Sequence, residues 1–165
     1  TNGPVAYYFI DEKVEDLAET TSQVFLGVRL QCTKCHHHPN EVWSQNDYYG
    51  LAAFFTKLET KDSGAQGSRF GGPKSIRLST KENPNRKPQM VVAPRVLGES
   101  TLVPVGGQQP TASLADAVND PRQRLADWMT RPDNPFFARN FANRYWTALF
   151  GLGLVEPVDD MRATN

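Results

Sequence analysis

The chain has 165 residues, enough for one ordinary domain or two small ones with a core. Its 18 basic and 18 acidic residues cancel, which argues against a general nucleic-acid binder, since such a protein carries a basic excess. Hydrophobic residues make up 39%, against 12 Gly and 12 Pro, so a loop-rich chain is expected, and no apolar run approaches the length of a membrane span.

From the N-terminus, residues 11–31 read as an amphipathic helix. Val14, Leu17, Ala18, Thr21, Val24, Phe25 and Val28 fall at steps of three and four, with Glu15, Asp16, Glu19 and Gln23 between them. The acids cluster in the N-terminal half, where the helix dipole favours them. This helix leads straight into "CTKCHHHP", Cys32 to Pro39, which holds both cysteines and all three histidines of the chain. A second helix is predicted over 47–58, capped by Ser44 or Asn46, with Tyr48, Leu51, Ala52, Phe55 and Leu58 on one stripe. The Cys/His cluster is therefore expected at a turn between two helices.

Residues 60–74, "TKDSGAQGSRFGGPK", read as a flexible linker. "KSIRLS" and "QMVVAPRVL" look like short strands around the turn "KENPNRKP", with Pro94 placing the second at a sheet edge. Between Lys61 and Arg95 the basic residues Lys61, Arg69, Lys74, Arg77, Lys81, Arg86, Lys87 and Arg95 face only Asp62 and Glu82. That run reads as a solvated loop face; the sharper alternative is a patch for an anionic partner.

Asp120-Pro121-Arg122-Gln123 then supplies an N-cap, a Pro at the first helical position and a Gln at the capping-box position. The helix over 121–130 turns Leu125, Trp128 and Met129 inward. "RPDNP" breaks it, and Asn134-Pro135 starts another helix to Phe150, stopped by Gly151. In that helix Phe137, Phe141, Tyr145 and Leu149 keep a step of four, backed by Phe136, Ala142, Trp146 and Phe150.

The Cys/His cluster carries the chemistry. Cys32-x-x-Cys35-His36 has the spacing of c-type haem attachment, in which two thiols reach the two vinyl groups and the next residue brings an imidazole under the iron. Trp43, Tyr48, Tyr49, Phe54 and Phe55 could supply apolar cover. Met90 is the preferred sixth-ligand candidate over His37, His38, Met129 and Met161. The rival is a tetrahedral zinc site from Cys32, Cys35, His36 and His38. Four ligands within seven residues are cramped, and no second Cys/His segment exists to share the load. A Cys32–Cys35 disulfide or redox pair, or ordinary turn histidines beside buried thiols, are the remaining readings.

Elsewhere, Arg139 with Asn143 and Asn140 with Arg144 share neighbouring faces of the last helix. They read as a polar network locking helix to loop, or as ligand-binding groups at a domain junction with Trp146. Asp159 and Asp160 read as a charged turn, or as partners for a cation or an arginine. No phosphate loop, nucleophile elbow or paired catalytic carboxylates stand out, so whether the chain is an enzyme stays open.

Two long stretches carry a resemblance. "FLGVRLQCTKCHHHPNEVWSQNDYYGLAAFF" and "RLADWMTRPDNPFFARNFANRYWTALFGLGLVEPVDDMR" resemble large exported planctomycete proteins. Those proteins carry a paired set of domains of unknown function, often beside a planctomycete cytochrome c module. The similarity covers about residues 16–58 and 121–162. The family's cluster often reads Cys-x-x-Cys-His-x-His-Pro, matched here at Cys32, Cys35, His36, His38 and Pro39. The resemblance implies an exported protein, periplasmic or at the cell surface. It implies that this chain joins the end of the first domain to the start of the second, with other domains of the parent, among them a cytochrome c module, as partners. No signal peptide is visible, and the chain begins without Met and stops at "DDMRATN", which reads as a piece cut from a longer protein. Export suits haem c and a disulfide alike.

The expected fold is α+β and helix-dominated, with helices near 11–31, 47–58, 121–130 and 135–150 around a small β element. Three units are expected: 1–60 with the cluster, 61–110 as linker and β element, and 111–165 as the start of a helical domain. Three functions compete. The first is an electron-transfer component holding haem c, and the second a non-catalytic scaffold with a structural zinc. The third is a part of a larger degradative surface enzyme whose catalytic residues lie elsewhere.

Overall fold

The computed structural model describes residues 13–56, 92–99, 120–162, 164 and 165. Helix α1, Val14–Thr21, continues as a wider π-helical turn, Ser22–Leu26. Gly27 ends it in the left-handed region at φ 67°, and Ser22 O accepts both the Gly27 and the Val28 amides. This corrects the expected helix to Gln31. The glycine takes a conformation costly for other residues, so the helix stops five residues early.

Helix α2, Gln45–Ala52, runs on as a short 3₁₀ turn, Ala53–Phe55. Its start is a reciprocal capping box between Ser44 and Asp47, with Ser44 N to Asp47 Oδ2 at 2.8 Å. Helix α3, Pro121–Met129, starts where the Asp120 side chain accepts the Arg122 amide. Helix α4, Phe137–Phe150, is entered through Asn134, whose Oδ1 accepts the amides of Phe136 and Phe137 at 2.9 and 3.0 Å. Gly151, at φ 80°, ends it.

The core sits where α1 crosses α2. Leu17, Leu26, Leu30, Tyr48, Leu51 and Phe54 are fully buried there. A side chain such as Leu51 or Phe54 contributes about 1.5–3 kcal/mol when taken out of water. Helix α3 closes the core against the 3₁₀ turn after α2, and α4 leans on the π-helical turn after α1.

The small β element is not seen: no strand occurs among the described residues. "KSIRLS" lies outside them, as do the whole linker 60–74 and all of the basic run but Arg95. The described end of the second expected strand, 92–97, is irregular chain. It is tied to α2 rather than to a strand, through Arg95 N to Gly50 O at 2.9 Å and Arg95 to Asp47 at 2.9 Å. Val96 and Leu97 enter the helical core.

Candidate functional site at the Cys32–His38 turn

The cluster occupies a 3₁₀ turn, Gln31–Lys34, set between α1 and α2. Only its second inner position faces the core. Thr33 is fully buried, and its amide and hydroxyl both donate to Leu30 O, at 2.8 and 2.6 Å. From below, the Gln45 amide donates to Lys34 O at 3.0 Å and the Tyr49 hydroxyl at 3.4 Å. These bonds turn the remaining residues outward. Cys32 and Cys35 are both free thiols and both exposed, as are His36 and His37. In 3₁₀ geometry residues three apart eclipse, so the two thiols share one side of the turn. The reading of buried, inert thiols is corrected: the core claims Thr33 instead.

The two histidines named as ligands differ in proton placement. His36 Nδ1 faces the His37 carbonyl at 2.6 Å. A carbonyl only accepts, so Nδ1 carries the proton and Nε2 keeps its lone pair. His38 is the reverse. Its Nδ1 accepts the Asn40 amide at 3.2 Å, which places the proton of the neutral ring on Nε2. His38 is further pinned by its own amide, which donates to Trp43 O at 2.9 Å. His36 is thus free to coordinate through Nε2, and His38 is engaged in holding the turn.

Among the described residues, no three His, Cys, Asp or Glu side chains converge as a metal site. The tetrad Cys32, Cys35, His36 and His38 is therefore not assembled in this geometry. The anticipated apolar cover is corrected as well. Trp43, Tyr48, Tyr49, Phe54 and Phe55 are all buried in the core, at 7% exposure or less. Burial pushes the Tyr48 phenol far above its usual pKa, helped by its hydrogen bond to Glu19 at 2.6 Å. Met90 lies outside the described residues, Met129 packs against the core, and Met161 sits beside Gly27.

A second polar centre joins the two ends of the chain. Arg29 binds Asp159 at 2.5 Å, and Gln23 donates to the same carboxylate. Asp160, fully buried, accepts Arg162 Nε on Oδ1 at 2.7 Å. Its Oδ2 lies within ion-pair range of Arg162 and Arg29, at 2.7 and 3.7 Å. Asp159 and Asp160 thus bind arginines; the sequence offered the carboxylates, but not which arginine would meet them. Burial alone would raise the Asp159 pKa. The hydrogen bonds from Arg29 and Gln23, with the Arg29 charge, outweigh it and hold the carboxyl below its usual value. The Asp159 hydrogen bond raises Arg29 in turn.

The asparagines of α4 do form the network expected of them. Asn140 donates to Val24 O at 2.8 Å, and Asn143 donates to Val155 O at 2.8 Å while accepting the Val155 amide at 2.9 Å. Arg139 stays outside it, exposed on the rim of a cleft of about 90 Å³ lined also by Trp43, Phe136, Glu41 and Arg162. Neither cysteine and no histidine reaches that cleft.

Two family matches agree with this two-ended arrangement. Residues 3–60 match the family described as PSCyt2, a protein of unknown function (DUF1549), and residues 121–165 match PSD1, a protein of unknown function (DUF1553). No curated protein and no solved structure matches the chain.

Proposed function

We infer that the chain joins a segment of the PSCyt2 family, residues 3–60, to a segment of the PSD1 family, residues 121–165, the paired domains associated with planctomycete cytochrome c. On that premise we propose that it is the junction of a larger exported protein, periplasmic or at the cell surface, and that its Cys32–His36 turn carries one covalent haem c with an electron-transfer role. The observation that carries this reading is the division of labour between the histidines: His36 keeps a free Nε2, while His38 does not. The exposed, unpaired thiols of Cys32 and Cys35 on one side of the turn add to it, since thioether formation requires reachable sulfurs. A closed structural zinc site would instead bury its thiolates and draw on His38.

Within this reading Cys32 and Cys35 hold the group, His36 is the proximal ligand through Nε2, and Thr33, Gln45 and Tyr49 fix the turn from beneath. The group supplies a reversible one-electron couple when bound. Trp43, Tyr48, Tyr49, Phe54 and Phe55 are committed to the core, so apolar cover has to come from other parts of the parent. A cytochrome c module is the expected redox partner.

A second reading is favoured by a different observation. The Arg29–Asp159 pair, the Asn140–Val24 bond and the Met161–Gly27 bond hold the two family segments together, while Asp160–Arg162 and Asn143–Val155 brace the second segment itself. That suits a non-catalytic scaffold whose turn binds a metal or nothing. The third reading, a part of a degradative surface enzyme, would place its catalytic residues elsewhere in the parent.

The deciding experiment expresses the chain in an exporting host with haem-c maturation machinery and records a pyridine haemochrome spectrum after denaturation, with metal analysis on the same sample. A covalent c-type spectrum, lost in Cys32→Ala and in Cys35→Ala, is the expected result. Stoichiometric zinc without haem would replace the haem reading by the scaffold reading, and neither group at all would leave the junction as the sole role.

A further inference from the structure

Helix α4 has its polar side in and its apolar side out. It buries Asn140 and Asn143, at 1% and 2% exposure, yet presents Tyr145 and Leu149 at 59% and 75%. At the helical angle per residue, the two asparagines and Thr147 mark the inner face. Phe141, Tyr145 and Leu149 run down the opposite side, with Trp146 and Phe150 next to them. The rings lie against one another at a tilt, Phe141 with Tyr145 and Trp146 with Phe150, both with centroids 4.4 Å apart. Burying an aromatic side chain removes roughly 150–250 Å² from water, so this stripe is a contiguous apolar patch of the kind that marks an interaction surface.

The stripe is edged by charge of one sign. Arg144 borders the line Phe141, Tyr145 and Leu149 on one side, Arg139 stands on the other at the angle of Trp146 and Phe150, and α4 contains no Asp or Glu. Neither arginine has an ion pair among the described residues, and Arg144 Nε is buried with no hydrogen-bond partner there. Asp159 and Asp160 are already taken by Arg29 and Arg162, and Glu41, which lines the same cleft as Arg139, makes no ion pair with it. A second copy packed through α4 would offer neither arginine a carboxylate, because α4 contains none. An uncharged lipid surface would leave the arginines unmatched.

We propose that α4 is the docking face for an amphipathic protein helix whose apolar stripe is edged with Asp or Glu. The apolar stripe supplies contact area, and the two arginines select the partner and set its position. This face is separate from the Cys/His turn, so the proposal stands whether or not that turn holds haem.

The test uses two synthetic helical peptides with the same Leu stripe, one edged with Glu and one with Lys, each carrying a fluorescent label. Anisotropy titrations on the 165-residue chain should show the Glu-edged peptide binding about ten-fold more tightly, with the gap closing as salt rises. Arg139→Glu, at an exposed position, should erase most of that gap, and Leu149→Ser should weaken both peptides, with circular dichroism confirming an intact fold. Equal binding of the two peptides, or binding of neither, would overturn the proposal. So would a concentration-dependent dimer abolished by Leu149→Ser, which would assign the face to a second copy, or equal partition onto phosphatidylcholine vesicles.

Discussion

Asp159 shows how a single carboxylate becomes a pH sensor for the fold. Its pKa lies below the ordinary Asp value because Arg29 and Gln23 donate to the charged form. A depressed carboxyl contributes stability that is fully present above the unfolded pKa of about 3.9. It is lost as pH falls through the folded value, because in that window the unfolded chain binds more protons. Urea midpoints followed from pH 5 downward should therefore fall in the wild type. They should fall less steeply in Asp159→Asn, which also lowers stability at pH 7. An unchanged acid slope in the variant would mean that the Arg29 pair is not formed in solution. The same reasoning at residue scale separates His36 from His38: identical side chains differ in which ring nitrogen keeps its lone pair, because one faces a carbonyl and the other an amide. The spacing of "CTKCHHHP" singles out His36 by its place after Cys35, but not this difference in hydrogen bonding, since both backbone partners are set by the fold of the turn.

At the scale of elements, the glycine stops control the packing. Gly27 and Gly151 both end helices with positive φ, at 67° and 80°. Their surroundings differ. A Cβ on Gly27 would lie 2.5 Å from Met161 Cγ and 2.7 Å from Asn140 Oδ1, whereas one on Gly151 would meet nothing within 4 Å. Gly151→Ala should thus cost only the left-handed strain, about 1–2 kcal/mol. Gly27→Ala adds an overpacking penalty of about 1–3 kcal/mol to the same strain. Thermal or urea unfolding of the two variants side by side checks this; equal losses would show that Met161 and Asn140 move aside freely. Gly151 was legible in the sequence because an apolar period runs directly into it. Gly27 was not, because the period continues through Val28 and conceals the stop. The aromatic step of four in α4 correctly marked a helix but not its inner face. There the inner positions are Asn140 and Asn143, whose hydrogen bonds to Val24, Val155 and Val158 exist only in the folded chain.

For the whole molecule, the two ends are coupled through backbone as well as charge. Met161 N donates to Gly27 O at 2.8 Å, and Asp160 binds Arg29 and Arg162 next to it. Removing a buried carboxylate strands its cationic partners. With Arg29 and Arg162 side chains 38% and 30% exposed, solvent screens part of that penalty, so Asp160→Ala should cost about 2–3 kcal/mol. The loss should spread. Hydrogen exchange should quicken across Val14–Leu26 as well as around α4, because Asp160 lies between Asp159, which holds Arg29, and Met161, which holds Gly27 O, so loosening this turn loosens both anchors. Quickening confined to the C-terminal segment would show that the two family segments fold independently.

Local signals lay in the sequence by itself: where helices begin, because Ser44, Asp120 and Asn134 cap their own neighbours, and that the thiols and imidazoles gather at one turn between two helices. Those features depend on residues a few positions apart and on backbone chemistry that needs no distant partner. The tertiary structure decided what lies far apart in sequence. It chose Arg29 as the partner of Asp159, buried the aromatic residues beside the cluster instead of leaving them as cofactor cover, and turned the polar face of α4 inward. Burial and long-range pairing are properties of the packed chain, and so its surface chemistry, including two exposed thiols and an arginine-edged apolar helix, appears only once the core has claimed its own residues.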